Sequence, residues 1–133
     1  MKKEFADILE IARSVKHKNP HVLGKNAGEA AEQYLSGLVE EVNEVREEIK
    51  GNNEVHLIDE LSDIAWDYVA LLSVLEEHKL ISSAEDVISH AHNKYSERTV
   101  GTAENFNDKW FEVKEGQKKE LSKRHTEKYG QEI

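Results

Sequence analysis

Apolar residues recur at helical spacing along most of the chain. Phe5, Ile8, Leu9, Ala12 and Val15 share one face of residues 4–16, with charges between them, and predict an amphipathic helix. From about Gly28 to Lys50, Ala31, Tyr34, Leu35, Leu38, Val42, Val45 and Ile49 form a second stripe. From about Val55 to Leu75 the pattern is denser. Leu57, Ile58, Leu61, Ile64, Ala65, Trp66, Tyr68, Val69, Leu71, Leu72 and Leu75 leave that helix apolar over most of its circumference, as expected of one that is central or buried in an oligomer. Ser82-Ser83-Ala84-Glu85 reads as a capping box opening a helix to about Arg98, with Val87, Ile88, Ala91 and Tyr95 inward. After Gly101-Thr102, with Thr102 or Asn105 as cap, a last helix carries only a thin stripe of Phe106, Trp110, Val113 and Leu121. The segment Lys16–Asn26, with Pro20, Gly24, two asparagines and two histidines, reads as a loop. Its length fits a role in a site and a plain connection equally well. The expected fold is all-α: four or five helices around a central antiparallel hairpin, in one domain over 1–133 with its core at about 4–98 and a C-terminal helix and charged tail at about 103–133.

The hairpin turn is Gly51-Asn52-Asn53. Gly51 suits the left-handed position after a helix, and Asn53 is placed to cap the next one. On either side stand two acidic signatures, Glu40-Glu41-Val42-Asn43-Glu44 and Glu60-Leu61-Ser62-Asp63. Glu44 and Glu60 are each eight residues from Asn52, and Glu41 and Asp63 are each eleven. At about 1.5 Å of rise per residue, Glu44 faces Glu60 and Glu41 faces Asp63, roughly 12 and 16 Å from the turn. Four carboxylates thus converge. Two like charges about 5 Å apart repel by roughly 3 kcal/mol at an effective dielectric near 20, so the cluster needs protons or a cation. Hard oxygen donors suit magnesium or manganese. Glu41 lies on the shoulder of the buried stripe, whereas Glu40 and Glu44 lie further round. Glu47 and Glu48 read as a solvated face. Asp67 continues the line of Glu60 and Asp63, and divides evenly between contact with the site and a surface pair. Lys94 and Arg98, four apart, share a helix face; they either grip phosphate oxygens or are solvated, and the pattern leaves both open.

Composition narrows the chemistry. The 133 residues contain no cysteine and one proline, and 34% are charged. Disulfides and thiolate sites are therefore excluded. A net charge of −9 argues against a nucleic-acid polymer as partner. No apolar run has the length of a membrane span, and the start lacks the apolar core of a signal peptide, so the chain reads as cytoplasmic with no membrane partner. No HExxH or Gly-rich phosphate loop occurs, and His90 and His92, two apart on a helix, point different ways.

The order EExxE, short turn, ExxD on a helical hairpin resembles the MazG-like, all-α nucleoside triphosphate pyrophosphohydrolases, over roughly residues 30–98. The run His92–Arg98 looks like the basic segment of that family's next helix. The resemblance implies Glu41, Glu44, Glu60 and Asp63 as ligands of Mg²⁺, with Mn²⁺ as a substitute. It implies Glu40 and Glu41 as catalytic carboxylates, Glu40 orienting or deprotonating the attacking water, and Lys94 and Arg98 as phosphate contacts. The reaction so implied converts a nucleoside triphosphate and water to the monophosphate and pyrophosphate, in control or housecleaning of the nucleotide pool. Asn43 stands where a small residue is usual in the family, and Lys16–Asn26 and the tail after Thr102 match no part of it. A related reading is phosphoribosyl-ATP pyrophosphohydrolase. A rival of another class is a non-catalytic, metal-binding helical oligomerisation module. The nearly all-round apolar third helix points to a homodimer or homotetramer.

Overall fold

The computed structural model describes residues 2–15 and 17–130. Five helices follow in order: α1 (Lys2–Val15), α2 (Ala27–Glu48), α3 (Glu54–Glu77), α4 (Ala84–Arg98) and α5 (Phe106–Tyr129). No strand occurs among the described residues, and the fold is all-α as the periodicity predicts. Lys16, first residue of the expected loop, and 131–133 of the expected tail lie outside the described residues. The chain divides into two compact units, Met1–Ala84 and Glu85–Ile133.

The first unit is the α2–α3 hairpin with α1 against α3. Its core gathers Val22, Ala30, Tyr34, Ala70, Leu71 and Val74, with Ala31, Leu38, Trp66 and Leu75 packed against them. Leu9 and Ala12 bring in α1. Burial is concentrated in the C-terminal half of α3, from Val69 to Val74. The other half of the same helix leaves several apolar side chains open: Val55 is 80% exposed, Ile58 56% and Leu61 47%. The expected all-round burial of this helix therefore holds within the chain for one half only.

The segment before α2 is a chain of turns with a buried anchor. The Asn19 side-chain amide donates to the Tyr34 hydroxyl at 3.1 Å, and its carbonyl oxygen accepts from the His21 amide. Val22 enters the core. α2 then begins with a capping box: Asn26 accepts from the Glu29 amide at 2.9 Å, and the Glu29 carboxylate accepts from the Asn26 amide. The spacing Asn26-x-x-Glu29 carries that signal in the sequence.

The hairpin turn differs from expectation in two details. The left-handed residue is Asn52, φ 55°, not Gly51. Asparagine tolerates that region because its short amide bonds locally. Asn53 precedes α3 but does not cap it with its side chain; the amide instead donates back to the Glu48 carbonyl at 2.8 Å and to the Glu48 carboxylate at 2.6 Å. Asn53 thus closes the end of α2, and Glu48, expected to be a solvated acid, belongs to the turn.

One ion pair joins the ends of the unit. Arg13 on α1 donates through Nε and Nη2 to both oxygens of Glu76 on α3, at 2.9 and 2.8 Å, and Glu76 also accepts from the Ala84 amide at 2.8 Å. Both side chains are about four-fifths shielded from solvent. In the second unit, Tyr95 of α4 and Phe106 of α5 meet Trp110, ring centroids 5.6 and 5.9 Å apart. The connection turns tightly at Gly101, where a Cβ would come within 3.0 Å of Phe106 Cα. Asn105 precedes α5, yet its side chain accepts from Thr102 rather than capping the helix.

Removal of Glu76 takes from Arg13 the carboxylate that meets its Nε and Nη2, and from the Ala84 amide its acceptor. Glu76→Ala is expected to cost about 2–3 kcal/mol in urea unfolding. Asp7→Asn, which breaks the exposed Lys3–Asp7 pair, should change stability by no more than about 0.5 kcal/mol.

Candidate functional site: a four-carboxylate cluster on the hairpin

Glu41 and Glu44 lie one turn apart on α2, and Glu60 and Asp63 one turn apart on α3. Because the hairpin is symmetric about its turn, the four meet. One carboxylate oxygen from each lies within 4.8 Å of the others. Glu41 and Glu60 are half-buried, and each keeps one buried oxygen without a hydrogen-bond partner. Among the described residues no other group of acids, histidines or cysteines converges in this way.

The electrostatics follow from this crowding. Burial foremost pushes the Glu41 carboxyl up from 4.5 to about 7; next come a hydrogen bond with Glu44, which only protonated Glu41 donates, and the charges of Glu44, Asp63 and Glu60. Glu60 is raised as well, first by its hydrogen bond with Glu44, then by burial and by the Glu44 and Asp63 charges. Near neutral pH the cluster therefore holds a proton unless another cation takes its place.

The donor set fits a divalent metal ion. Four carboxylates offer hard oxygens, two buried lone-pair sites have no protein donor, and oxygens around a cation with bonds of 2.0–2.6 Å lie up to about 4–5 Å apart. Glu40, which precedes Glu41, is exposed. It stands next to the cluster in sequence but outside the set of four.

Lys94 and Arg98 belong to the second unit. Lys94 is half-buried, its ammonium 5.5 Å from the Tyr95 ring centre. It borders a groove of about 320 Å³ between α4 and α5 that also includes His90, Gln117 and Arg124. Arg98 is only 7% exposed. Its guanidinium lies 5.5 Å from the centres of both Tyr95 and Trp110, and its Nε donates to Gln117 at 2.7 Å. Gln117 in turn donates to the Lys94 carbonyl at 3.0 Å. Neither Arg98 Nη amine donates a hydrogen bond among the described residues. Sequence spacing predicted the shared face of the two cations but not this aromatic setting, because Trp110 and Gln117 come from a helix after the family-like segment.

The model of the MazG nucleotide pyrophosphohydrolase domain matches residues 29–101. The chain belongs to this family. That segment spans α2, α3 and α4 and contains every member of the acidic cluster, so the domain accounts for the hairpin and its chemistry at the level of a nucleotide pyrophosphohydrolase. Comparison with curated proteins and with solved structures gave no match. Of the described helices, none is long and apolar enough to cross a membrane.

The raised carboxyls set a pH dependence of definite sign. The folded metal-free protein binds protons more tightly than the unfolded chain between about pH 4.5 and about 7. The associated stability is fully present below that window and lost as pH rises through it. Metal-free protein should therefore have a lower urea midpoint at pH about 8 than at pH about 5, where the cluster is the dominant titrating group. A divalent cation competes with the same protons, so its apparent affinity, measured by calorimetry, should weaken as pH falls below about 7 and level off above it.

Proposed function

We propose that this protein is a magnesium-dependent nucleoside triphosphate pyrophosphohydrolase, with manganese as an alternative ion. The observation that carries the proposal is the meeting of four carboxylate oxygens within 4.8 Å inside the family's segment. In this reading Glu41, Glu44, Glu60 and Asp63 hold the cation. When bound, that ion supplies charge neutralisation to the triphosphate and makes water a better nucleophile. Glu40, exposed beside Glu41, orients the attacking water and accepts its proton, and Glu41 shares in keeping the water in place. The water oxygen bonds to phosphorus, the bond from that phosphorus to the bridging oxygen breaks, and the electron pair leaves with pyrophosphate. Lys94 and Arg98 are the proposed contacts to phosphate oxygens; support for them is their charge, their position within 29–101 and two Arg98 Nη amines that donate to none of the described residues. Control of a deoxynucleotide pool and removal of non-standard nucleotides both suit this chemistry.

The active form proposed is a homodimer or homotetramer. The exposed apolar side chains of the hairpin support it, together with a depression of about 520 Å³ walled by Phe5, Ile8, Ala65, Tyr68 and Val69. Exposed apolar side chains gathered around one depression suit a subunit interface. Sedimentation should therefore give a mass at least twice 15.2 kDa; a purely monomeric species would argue against this assembly.

Pyrophosphate release across standard and damaged nucleoside triphosphates tests the activity. Release is expected with Mg²⁺ and not with chelator. Glu41→Gln and Asp63→Asn should each lower kcat/KM by at least about 100-fold, as loss of ligands from a catalytic metal site does, with helicity by circular dichroism unchanged. Hydrolysis of phosphoribosyl-ATP alone would favour the related enzyme. Cation-linked stability without any hydrolysis would favour the oligomerisation module.

A further inference from the structure

Asp67 is not one of the four clustered acids. It lies on α3 one turn beyond Asp63, towards the buried half of that helix. Its carboxylate rests against α2 at Gly37. A Cβ at Gly37 would come 2.8 Å from Asp67 Oδ2, 3.4 Å from Cγ and 3.8 Å from Oδ1. No other residue type fits there without displacing the carboxylate. Glycine inside a helix loses more backbone freedom on folding than alanine would, so α2 gives up stability at this point to admit an acid.

The surroundings of that acid are unfavourable for a charge. Asp67 is half-buried, and among the described residues its carboxylate has no hydrogen-bond donor and no cationic partner. The charged groups acting on it, Asp63 and Glu40, are both acidic; burial first, and then these two, raise its pKa. An anion so placed destabilises the bare protein. The penalty falls once positive charge occupies the neighbouring cluster, since attraction to the cation then offsets part of that repulsion.

We infer that Asp67 is a positioning residue of the cation site, seated by Gly37 so that its charge reinforces the Asp63 side of the cluster. The inference rests on the reading of Glu41, Glu44, Glu60 and Asp63 as a cation site. Asp67 acts on the ion through its field, one helical turn beyond Asp63.

The test is Mn²⁺ titration, read by paramagnetic resonance of the free ion, together with the Tm of each metal-free protein. Asp67→Asn should raise the Mn²⁺ Kd about tenfold. Its metal-free Tm should equal or exceed that of the parent protein, because a repelled charge has gone. A merely structural residue cannot produce those opposite signs. Gly37→Ala, which moves the carboxylate without deleting it, should also raise Kd, and the double variant should bind no more weakly than the weaker single one. An unchanged Kd for Asp67→Asn, while Glu41→Gln has lost binding, overturns the role of Asp67 and leaves the four-carboxylate site standing. A higher Kd accompanied by a lower metal-free Tm identifies a structural residue and overturns it too. Absence of Mn²⁺ binding by the parent protein removes the cation site itself, and this inference with it.

Discussion

Mutual repulsion of four carboxylates on one short stretch of hairpin is the constraint around which the first unit is built. Charges about 4 Å apart repel by roughly 4 kcal/mol per pair at an effective dielectric near 20, and more where water is excluded. Left to themselves, α2 and α3 would part at Glu41, Glu44, Glu60 and Asp63. The two helices are held instead by apolar contact further along, where Val69 to Val74 meet Ala30 and Tyr34, and by the turn, where Asn53 ties back to Glu48. The acidic cluster lies between these two fastenings. Partial protonation of Glu41 near neutral pH is the local relief of the same strain.

The buried core and the acidic cluster thus occupy different halves of α3. The C-terminal half supplies the core and receives α1 through Arg13 and Glu76. The N-terminal half carries Glu60 and Asp63 of the acidic cluster on one side and exposed apolar residues on others. Gly37 and Asp67 stand at the border, where close approach of the helices and the first acid coincide. A site placed on the poorly buried half can change its charge state without the core having to rearrange, since Val69 to Val74 lie more than a turn away.

The second unit uses a different kind of contact. α5 has no buried residue, and it meets α4 through rings gathered around one cation: Tyr95 and Trp110, tilted to each other, about the guanidinium of Arg98, with Gln117 satisfying Nε. Arginine suits this because its planar, weakly hydrated head stacks on rings while keeping donors at its edge. Helix α5 lies outside the segment matched by the family, so the surroundings of Lys94 and Arg98 are in part this chain's own.

Helix periodicity made the number and order of helices legible, and the equal spacing of two acidic pairs about Asn52 made the cluster legible, because both depend only on the rise and pitch of a helix. Local turn chemistry was harder to read. Asn52 rather than Gly51 takes the left-handed position, and Asn53 bonds backwards, because several short polar residues compete for the same few backbone groups. Tertiary structure alone decided that Arg98 is enclosed, that Asp67 lies on Gly37, and that only half of α3 is buried within the chain. Each depends on which side chain from a distant helix arrives at that spot, and single-helix spacing holds no information about that partner.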